Sequence, residues 1–348
     1  MDIKSIKLLQ KQINNTDCLL VTNLADTTYI LEKSVEGVTV AITNKNIYLL
    51  TSEMISPQAK FFFPNQRFIV DNDPIKRIIK LRQIEKIKTL LTEENISIKL
   101  YNTLHRHFNI KLSNVLKNLR MVKKQQEIIK IKKSCGIANK VIHSIRTFLK
   151  EGVSELEIKN IILKKFLELG VEKSFDPIVA FDENTVFPHH IPTTKKFGKK
   201  SFALIDLGCK MDGYCSDITR MFFVEKSLAV RNFFNKLYQL QKQLISMCTV
   251  GEKVSNIDNF ARKFCKDLGI EKNYLHSTGH GVGLEIHESP RISVKDNTVL
   301  KEGMIITIEP GIYFNHSKNF KRSFGLRVED MVLITKNGPV VLTKTKIT

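Results

Sequence analysis

The sequence of 348 residues lacks any run of about 18 or more uncharged apolar residues, which excludes a membrane-spanning helix. Its N-terminal segment, Met1 to Leu20, lacks the apolar core and cleavage site of a secretory leader. Lys4, Lys7, Lys11, Gln12 and Asp17 interrupt it, so export is not expected. Cysteines are sparse. Cys18, Cys135, Cys209, Cys215, Cys248 and Cys265 show neither the short spacing of a zinc site nor the density of a disulfide scaffold, and a reducing cytoplasm is the expected setting. Acidic residues are scarce beside basic ones, 35 against 55, which leaves a formal charge of +20. Such an excess raises the question of a nucleic-acid or other anionic partner. The basic residues are dispersed over every predicted helix face, without basic and aromatic interleaving, so no nucleic-acid partner is expected.

The length exceeds that of one small domain and favours two domains or one large one. Up to about Asn118, short β-rich segments (Cys18 to Thr22, Val38 to Thr43, Ile47 to Thr51, Arg67 to Val70) alternate with helical ones. Asn44-Lys45-Asn46 joins two of them as a hairpin, and Asp73 to Ile87 carries a helical apolar stripe, so residues 1–118 read as a small α/β domain. From Met121 the pattern becomes a long helix with Ile128, Ile131, Ile137, Val141, Ile145 and Phe148 on one face. A second helix opens with the capping box Ser154-Glu155-Leu156-Glu157 and closes at Gly170, and strand-rich sequence runs from about Pro177 to Val224. The order then recurs: a long helix from Leu228 to Met247, a helix opened by Ser255 with Asp258 three residues on and closed by Gly269, then strands. Ser154 to Val171 and Ser255 to Ile270 share a Leu-Gly-aliphatic ending. This reads as an internal duplication, helix-helix-sheet twice, with a cleft between the halves.

The chemistry-bearing residues lie in that second region. In Ile205 to Arg220, two alternating apolar stretches flank the turn signal Asp212-Gly213, which predicts a β-hairpin. Asp206 and Asp217 then share a face, opposed or on the diagonal, within reach of one cation. A hairpin with two aspartates alone would read as a solvated face. His276 to Glu288, however, adds His276, His280 and His287 within a short stretch, with glycines on both sides of His280. Glu309 ends the strand Met304 to Ile308 before Pro310-Gly311, and Glu329 shares a strand face with Arg327 and Met331. Four carboxylates and one imidazole, with no thiolate, suit a pair of divalent cations about 3.5–4 Å apart that activate water.

At these motifs the C-terminal two-thirds resembles the pita-bread metallopeptidases, the family of aminopeptidase P, prolidase, methionine aminopeptidase and creatinase. The matching pieces are Asp206-Leu207-Gly208, Gly213 to Arg220, Thr278 to Gly283 with His287-Glu288, Glu309-Pro310-Gly311 and Arg327 to Asp330. Phe187 to Thr193 extends the match upstream to about Met121. The resemblance implies an α+β chain: a catalytic pita-bread domain over 121–348, with its helix-helix-antiparallel sheet unit duplicated, behind a smaller creatinase/prolidase-type α/β domain over 1–118. It implies metal ligation by Asp206, Asp217, His280, Glu309 and Glu329, with Asp217 and Glu329 bridging two ions, Mn²⁺ before Co²⁺, Zn²⁺ or Fe²⁺.

The extra N-terminal domain is similar to that of the Xaa-Pro enzymes, and methionine aminopeptidases lack it. Non-peptidase relatives have lost some ligands, whereas all five are present here. The expected activity is therefore hydrolysis of the bond before proline in peptides with proline at the second position, with aminopeptidase P ranked ahead of prolidase. A methionine-aminopeptidase-like enzyme and a non-catalytic pita-bread binding module are the further alternatives. By the same resemblance His287 assists oxyanion stabilisation, and Glu309 carries a proton to the leaving nitrogen. His189 and His276 contact the substrate, Arg327 holds a ligand carboxylate, Thr219 bonds a ligand or water, and the N-terminal domain mediates a homodimer. His105, His107, His143 and His316 fall outside the motifs, and Cys209 and Cys215 are expected to serve packing.

Overall fold

The computed structural model describes residues 3–223, 228–315 and 323–344. The chain divides into two compact units, Met1–Arg120 and Met121–Thr348. The first unit contains strands β1 (Asp17–Val21), β2 (Thr39–Ile42), β3 (Ile47–Thr51), β4 (Arg67–Val70), β5 (Thr89–Thr92) and β6 (Asn109–Leu112). Its helices are α1 (Ile3–Gln10), α2 (Leu24–Leu31), α3 (Ser56–Phe62), α4 (Pro74–Glu85), α5 (Ile98–Leu104) and α6 (Val115–Met121), the last running just past the boundary. The strands form one mixed sheet in the order β4-β3-β2-β1-β5-β6. The predicted hairpin joins β2 to β3 in antiparallel register, and the parallel pairs β3/β4 and β5/β6 are each bridged by a helix, as a crossover requires. The α4 start shows the local logic: Asp73 caps the amides of Ile75 and Lys76, and Pro74 sits where no amide is needed.

The second unit begins with α7 (Gln125–Ile145) and α8 (Glu155–Glu168). Phe148 leaves the predicted α7 face, because the helix ends at Ile145 and tightens into a 3-10 turn where Phe148 is 38% exposed. Then follow β7 (Glu172–Lys173), β8 (Ile178–Phe181), β9 (Phe202–Leu207), β10 (Cys209–Met211), β11 (Tyr214–Cys215) and β12 (Ile218–Phe223). The second helix pair is α9 (Leu228–Met247) and α10 (Val254–Asp267). It leads into β13 (Gly279–Gly281), β14 (Glu288–Ile292), β15 (Ile305–Ile308), β16 (Gly311–Phe314), β17 (Phe324–Arg327), β18 (Asp330–Thr335) and β19 (Gly338–Val341). The sheets run β12-β9-β8 in the first half and β14-β13-β15-β18-β19 in the second, with β11-β10-β7 and β16-β17 as smaller companions.

Each helix pair has its own core. Ala138, Val141, Ile142 and Ile145 of α7 and Ile158, Ile162 and Phe166 of α8 pack on Val179, Phe181, Ala203, Ile205 and Leu207. Phe234, Leu237, Leu240 and Leu244 of α9 and Ile257, Ala261 and Cys265 of α10 pack with Ile306, Ile308, Val332 and Ile334. Strand alternation separates the faces. On β9, Ala203, Ile205 and Leu207 face the first helix pair, so Leu204 and Asp206 face the other way, and Leu204 joins the second core.

The internal duplication has a definite register, ninety-nine residues. Ser154 and Lys253, the caps of α8 and α10, make equivalent isolated antiparallel bridges to Lys196 and Val299. Gly170 and Gly269 end the two helices at φ +67° and +69°, with Val171 and Ile270 donating back to Phe166 and Cys265 in the same Schellman closure. The predicted helix opening at Ser255 is therefore corrected. Lys253 is the cap and makes no side-chain cap bond, and the Asp258 carboxylate turns inward to Thr278, Val294 and Arg262.

Ser154, by contrast, is a working cap: its hydroxyl accepts from the Glu157 amide at 3.2 Å while Glu157 accepts from the Ser154 amide at 2.7 Å. Ser154→Ala is expected to cost about 1 kcal/mol in urea unfolding. Ser255→Ala, which loses only a 3.3 Å contact to Asn297, costs less. Equal losses would contradict the assignment of the caps.

Candidate metal centre

The floor of the site is built on β9 and β12. Their antiparallel register sets Asp206 opposite Thr219, which puts Asp217, two residues earlier, on the diagonal of Asp206 and on the same face. Asp212 and Gly213 turn the chain at φ 50° and 85°, both positive as a tight hairpin requires. The hairpin is less regular than expected. It breaks at Gly208 and Ser216, and its tip, β10 and β11, belongs to a different sheet. A Cβ at Gly208 would lie 1.9 Å from the Ser216 carbonyl oxygen, so only glycine allows the strands to part there.

His280 is placed by its flanking glycines and by β15. A Cβ on Gly279 would meet the Thr307 carbonyl oxygen at 2.0 Å, and one on Gly281 the Ser289 carbonyl oxygen at 2.3 Å, so β13 lies closer to its neighbours than a side chain permits. The His280 amide donates to Thr307 Oγ1 at 3.1 Å, and its ring Nδ1 lies 3.0 Å from the Gly281 carbonyl oxygen. A carbonyl accepts only, so Nδ1 carries the proton and Nε2 presents a lone pair. That lone pair points at carboxylates: Nε2 is 3.4 Å from Glu309 Oε1 and 3.7 Å from Asp217 Oδ2. An acceptor facing acceptors is repulsive unless a cation lies between them.

Glu309 follows the last residue of β15 and precedes the turn into β16. Glu329 departs from the predicted continuous strand, because β17 ends at Arg327 and β18 begins at Asp330, so Glu329 occupies the crossover between two sheets. Arg220 pins that crossover. One of its nitrogens donates to the carbonyls of Glu329 at 2.6 Å and Thr219 at 3.0 Å, and the other to Asp330 Oδ1 at 2.7 Å. The Arg327 fork then ties the carboxylates together. Its Nη2 donates to Asp206 Oδ2 at 2.7 Å and its Nε to Thr219 Oγ1 at 3.2 Å, while Thr219 Oγ1 donates to Glu329 Oε2 at 2.8 Å.

One ligand atom each from Asp217, His280 and Glu329 lies within 4.8 Å of the others. Glu309 adjoins His280, and Asp206 adjoins the group through Arg327. The electrostatics are those of a set of carboxylates whose charge Arg327 offsets only in part. Asp217 is driven well above the ordinary carboxylate range by burial and then by the charges of Glu329, Asp206 and Glu309. Glu329 is raised in the same way, by burial and then Glu309 and Asp206. Burial, with Asp206 adding to it, pushes Glu309 up to about 7. Burial, with His287 beside it, pushes His280 down to about 3, so the imidazole is neutral, the form that ligates a metal. Asp206 Oδ1 and Asp217 Oδ1 are buried without a hydrogen-bond partner. Orphaned carboxylate oxygens, a lone pair aimed at acids and neutral imidazole together fit a divalent cation.

Above this buried floor the remaining predicted residues form a more open rim. His189 and His287 are exposed, and His276 is half-buried. The His280 and His287 rings stand edge to face at 4.4 Å. His189 is near enough to His276 and His287 to lower the proton affinity of both, behind the larger effect of burial. Tyr313 had no sequence signal beyond lying two residues past Gly311 on a strand. Its buried hydroxyl accepts from Arg327 Nη1 at 2.8 Å and lies 3.0 Å from His276 Nε2. Glu155 and Asp258, read from sequence as helix-start residues, are fully buried. His105, His107 and His143 are exposed, and Cys209 and Cys215 are buried free thiols. His316 lies outside the described residues.

Comparison with known proteins agrees with this arrangement. The model of metallopeptidase family M24 matches residues 129–336, more than half of the chain. A Xaa-Pro dipeptidase of Pyrococcus horikoshii is 32% identical over 99% of this chain and 96% of its own length. The structure of a Xaa-Pro dipeptidase from Bacillus anthracis superimposes with a TM-score of 0.92 at 27% identity, covering 99% of this chain and 98% of that one. An X-Pro aminopeptidase from Thermotoga maritima superimposes with a TM-score of 0.85, also at 27% identity, over 98% and 99% of the two chains. Among the described residues no helix is long and apolar enough to cross a membrane. With the ordered motifs, the pita-bread α+β architecture and the family match in agreement, the chain belongs to metallopeptidase family M24.

Proposed function

We propose that residues 121–348 form the catalytic domain of a two-metal Xaa-Pro dipeptidase that hydrolyses the bond before proline, with residues 1–118 as a separate α/β domain. The observation that carries this reading is the convergence of Asp217, His280 and Glu329 at the floor of the site, with Glu309 3.4 Å from His280. Asp206 completes the ligand set. Its Oδ2 is held by Arg327, which leaves the unpartnered Oδ1 for a metal. The sequence reading ranks aminopeptidase P first, although its motifs suit either enzyme. The relatives favour the reverse order, because the dipeptidase of Pyrococcus horikoshii matches nearly the whole chain at 32% identity and that of Bacillus anthracis superimposes with a TM-score of 0.92. Aminopeptidase P remains the second reading, supported by the Thermotoga maritima structure.

Two divalent cations bound there supply neutralising charge for the four carboxylates, Lewis-acid activation of a water molecule and stabilisation of negative charge on the scissile carbonyl. The oxygen-rich, thiolate-free set favours Mn²⁺, with Co²⁺, Fe²⁺ and Zn²⁺ as alternatives. The protein's own groups do the rest. Glu309 accepts a proton from the attacking water and passes it to the leaving imino nitrogen of proline. His287, on the exposed rim beside His280, donates toward the carbonyl oxygen as it gains charge. His189 and His276 orient the substrate around the scissile bond. Arg327, with Tyr313 and Thr219, keeps the Asp206 and Glu329 carboxylates from rotating.

Metal dependence is directly measurable. Mn²⁺ added to chelator-treated protein is expected to raise Tm, by the equivalent of about 2.7 kcal/mol at 100 times Kd. Asp217→Ala abolishes both the rise and turnover, and full activity in that variant would contradict the ligand assignment. For substrate class, purified protein with Mn²⁺ is offered Xaa-Pro dipeptides, Xaa-Pro-Yaa tripeptides and Met-Ala-Yaa peptides side by side. Preferential cleavage of the dipeptides is expected. Preference for Xaa-Pro-Yaa would establish aminopeptidase P instead, and cleavage of Met-Ala-Yaa alone would reject both.

A further inference from the structure

Two carboxylates outside the proposed ligand set are each fully buried, and each bonds both ends of a segment that carries active-site histidines. Glu155 opens α8. Its Oε1 accepts from the Phe181 amide at 2.8 Å and Asn184 Nδ2 at 2.9 Å, at the start of the segment 181–193. Its Oε2 takes the far end: His190 Nε2 at 2.9 Å, the Thr193 amide at 2.8 Å and Thr193 Oγ1 at 2.7 Å. His189 lies inside that closed segment, and the preceding Pro188 carbonyl accepts from Arg327 Nη1 at 3.2 Å.

Asp258, on α10 of the second half, repeats the device. Its Oδ1 accepts from the Thr278 amide at 3.1 Å and Thr278 Oγ1 at 2.7 Å. Its Oδ2 accepts from the Val294 amide at 3.0 Å and Arg262 Nε at 2.8 Å. His280 and His287 lie between those two ends. A carboxylate without solvent contact is costly unless its lone pairs are used; those of Glu155 are filled by donors of segment 181–193, and those of Asp258 by donors of segment 278–294 together with Arg262. Each helix pair therefore fastens one histidine segment to its own N-terminal part, by a carboxylate one helical turn further along in the second half, since the ninety-nine-residue register sets Glu155 against Val254.

We propose that Glu155 and Asp258 are positioning residues, each a buried clip that closes one histidine-bearing segment: Glu155 sets His189 for turnover, and Asp258 sets His280 for metal binding. The roles of the histidines rest on the function proposed above, but the clips make separate demands on the two segments. An amide in place of either carboxylate keeps an acceptor for one end of the segment and confronts the other end with a donor. Because no proposed ligand lies within 181–193, loosening that segment disturbs chemistry without disturbing the metals. Loosening 278–294 moves a proposed ligand.

The experiment uses the full chain and two readouts. One is Mn²⁺ affinity by calorimetry on chelator-treated protein, and the other is kcat on an Xaa-Pro dipeptide at saturating Mn²⁺. Glu155→Gln is expected to lower kcat at least about 10-fold with Mn²⁺ Kd changed less than about two-fold, and Asp258→Asn to raise Mn²⁺ Kd at least about 10-fold. Ser154→Ala, which weakens the same helix start without touching either segment, serves as the control and changes neither readout. If a carboxylate variant does not fold, Thr193→Val and Thr278→Val, which each remove one bond to a clip, give the same two patterns at smaller amplitude. If the wild-type protein cleaves no Xaa-Pro peptide, the proposed function fails, and the Mn²⁺ arm together with the His189 ring resonance, shifted by Glu155→Gln and not by Ser154→Ala, still decides the clips. Losses in both readouts that merely track the fall in Tm, or no change in either, would overturn the proposal.

Discussion

Four carboxylates crowded onto one buried surface repel each other and have surrendered their water, and the rest of the second unit is organised around that unfavourable arrangement. Arg327 offsets part of it, with three nitrogens directed at Asp206, Thr219, Tyr313 and the Pro188 carbonyl. One guanidinium cannot balance four acids, and Asp206 and Asp217 each keep an oxygen without a hydrogen-bond partner. A site left in that condition stores free energy that a cation releases on binding, so the protein's own instability there becomes affinity for metal. Burial sharpens the effect, since the same charges in water would be screened to little consequence.

The fold delivers these groups through strand alternation and close backbone approach. On β9 the odd-numbered residues bind the first helix core, which leaves Asp206 on the opposite face beside Thr219 and Asp217. Gly279 and Gly281 let β13 come close enough to its neighbours for His280 to reach the acids. Arg220 and Asp330 form a second buried ion pair beneath the first, with Gln241 donating to the other oxygen of Asp330 at 3.0 Å. Removing one member of such a pair strands a buried charge, which makes this layer structural in character while the layer above it is chemical.

Much of this was legible in the sequence where local rules and chemistry coincide. The β2/β3 hairpin, the cap at Ser154 and the limits of α9 follow from short-range signals, and the candidate ligands follow from residue types that have little other reason to be buried together. The misreadings have a common cause in tertiary demand overriding local pattern. Ser255 looks like a helix cap, but the chain enters α10 two residues earlier through a bridge to Val299. Glu329 looks like part of a continuous strand, but Arg220 draws its carbonyl into the crossover between two sheets. Tyr313, Glu155 and Asp258 act through partners far along the chain, and no periodicity announces them.

The central claim, that Asp206, Asp217, His280, Glu309 and Glu329 converge on a pair of cations, is tested most directly by anomalous X-ray diffraction from crystals grown with Mn²⁺. The account predicts two anomalous peaks about 3.5–4 Å apart, both within coordinating distance of these five side chains. Peaks elsewhere in the molecule, or none at the five-residue cluster in crystals saturated with the ion, would contradict it.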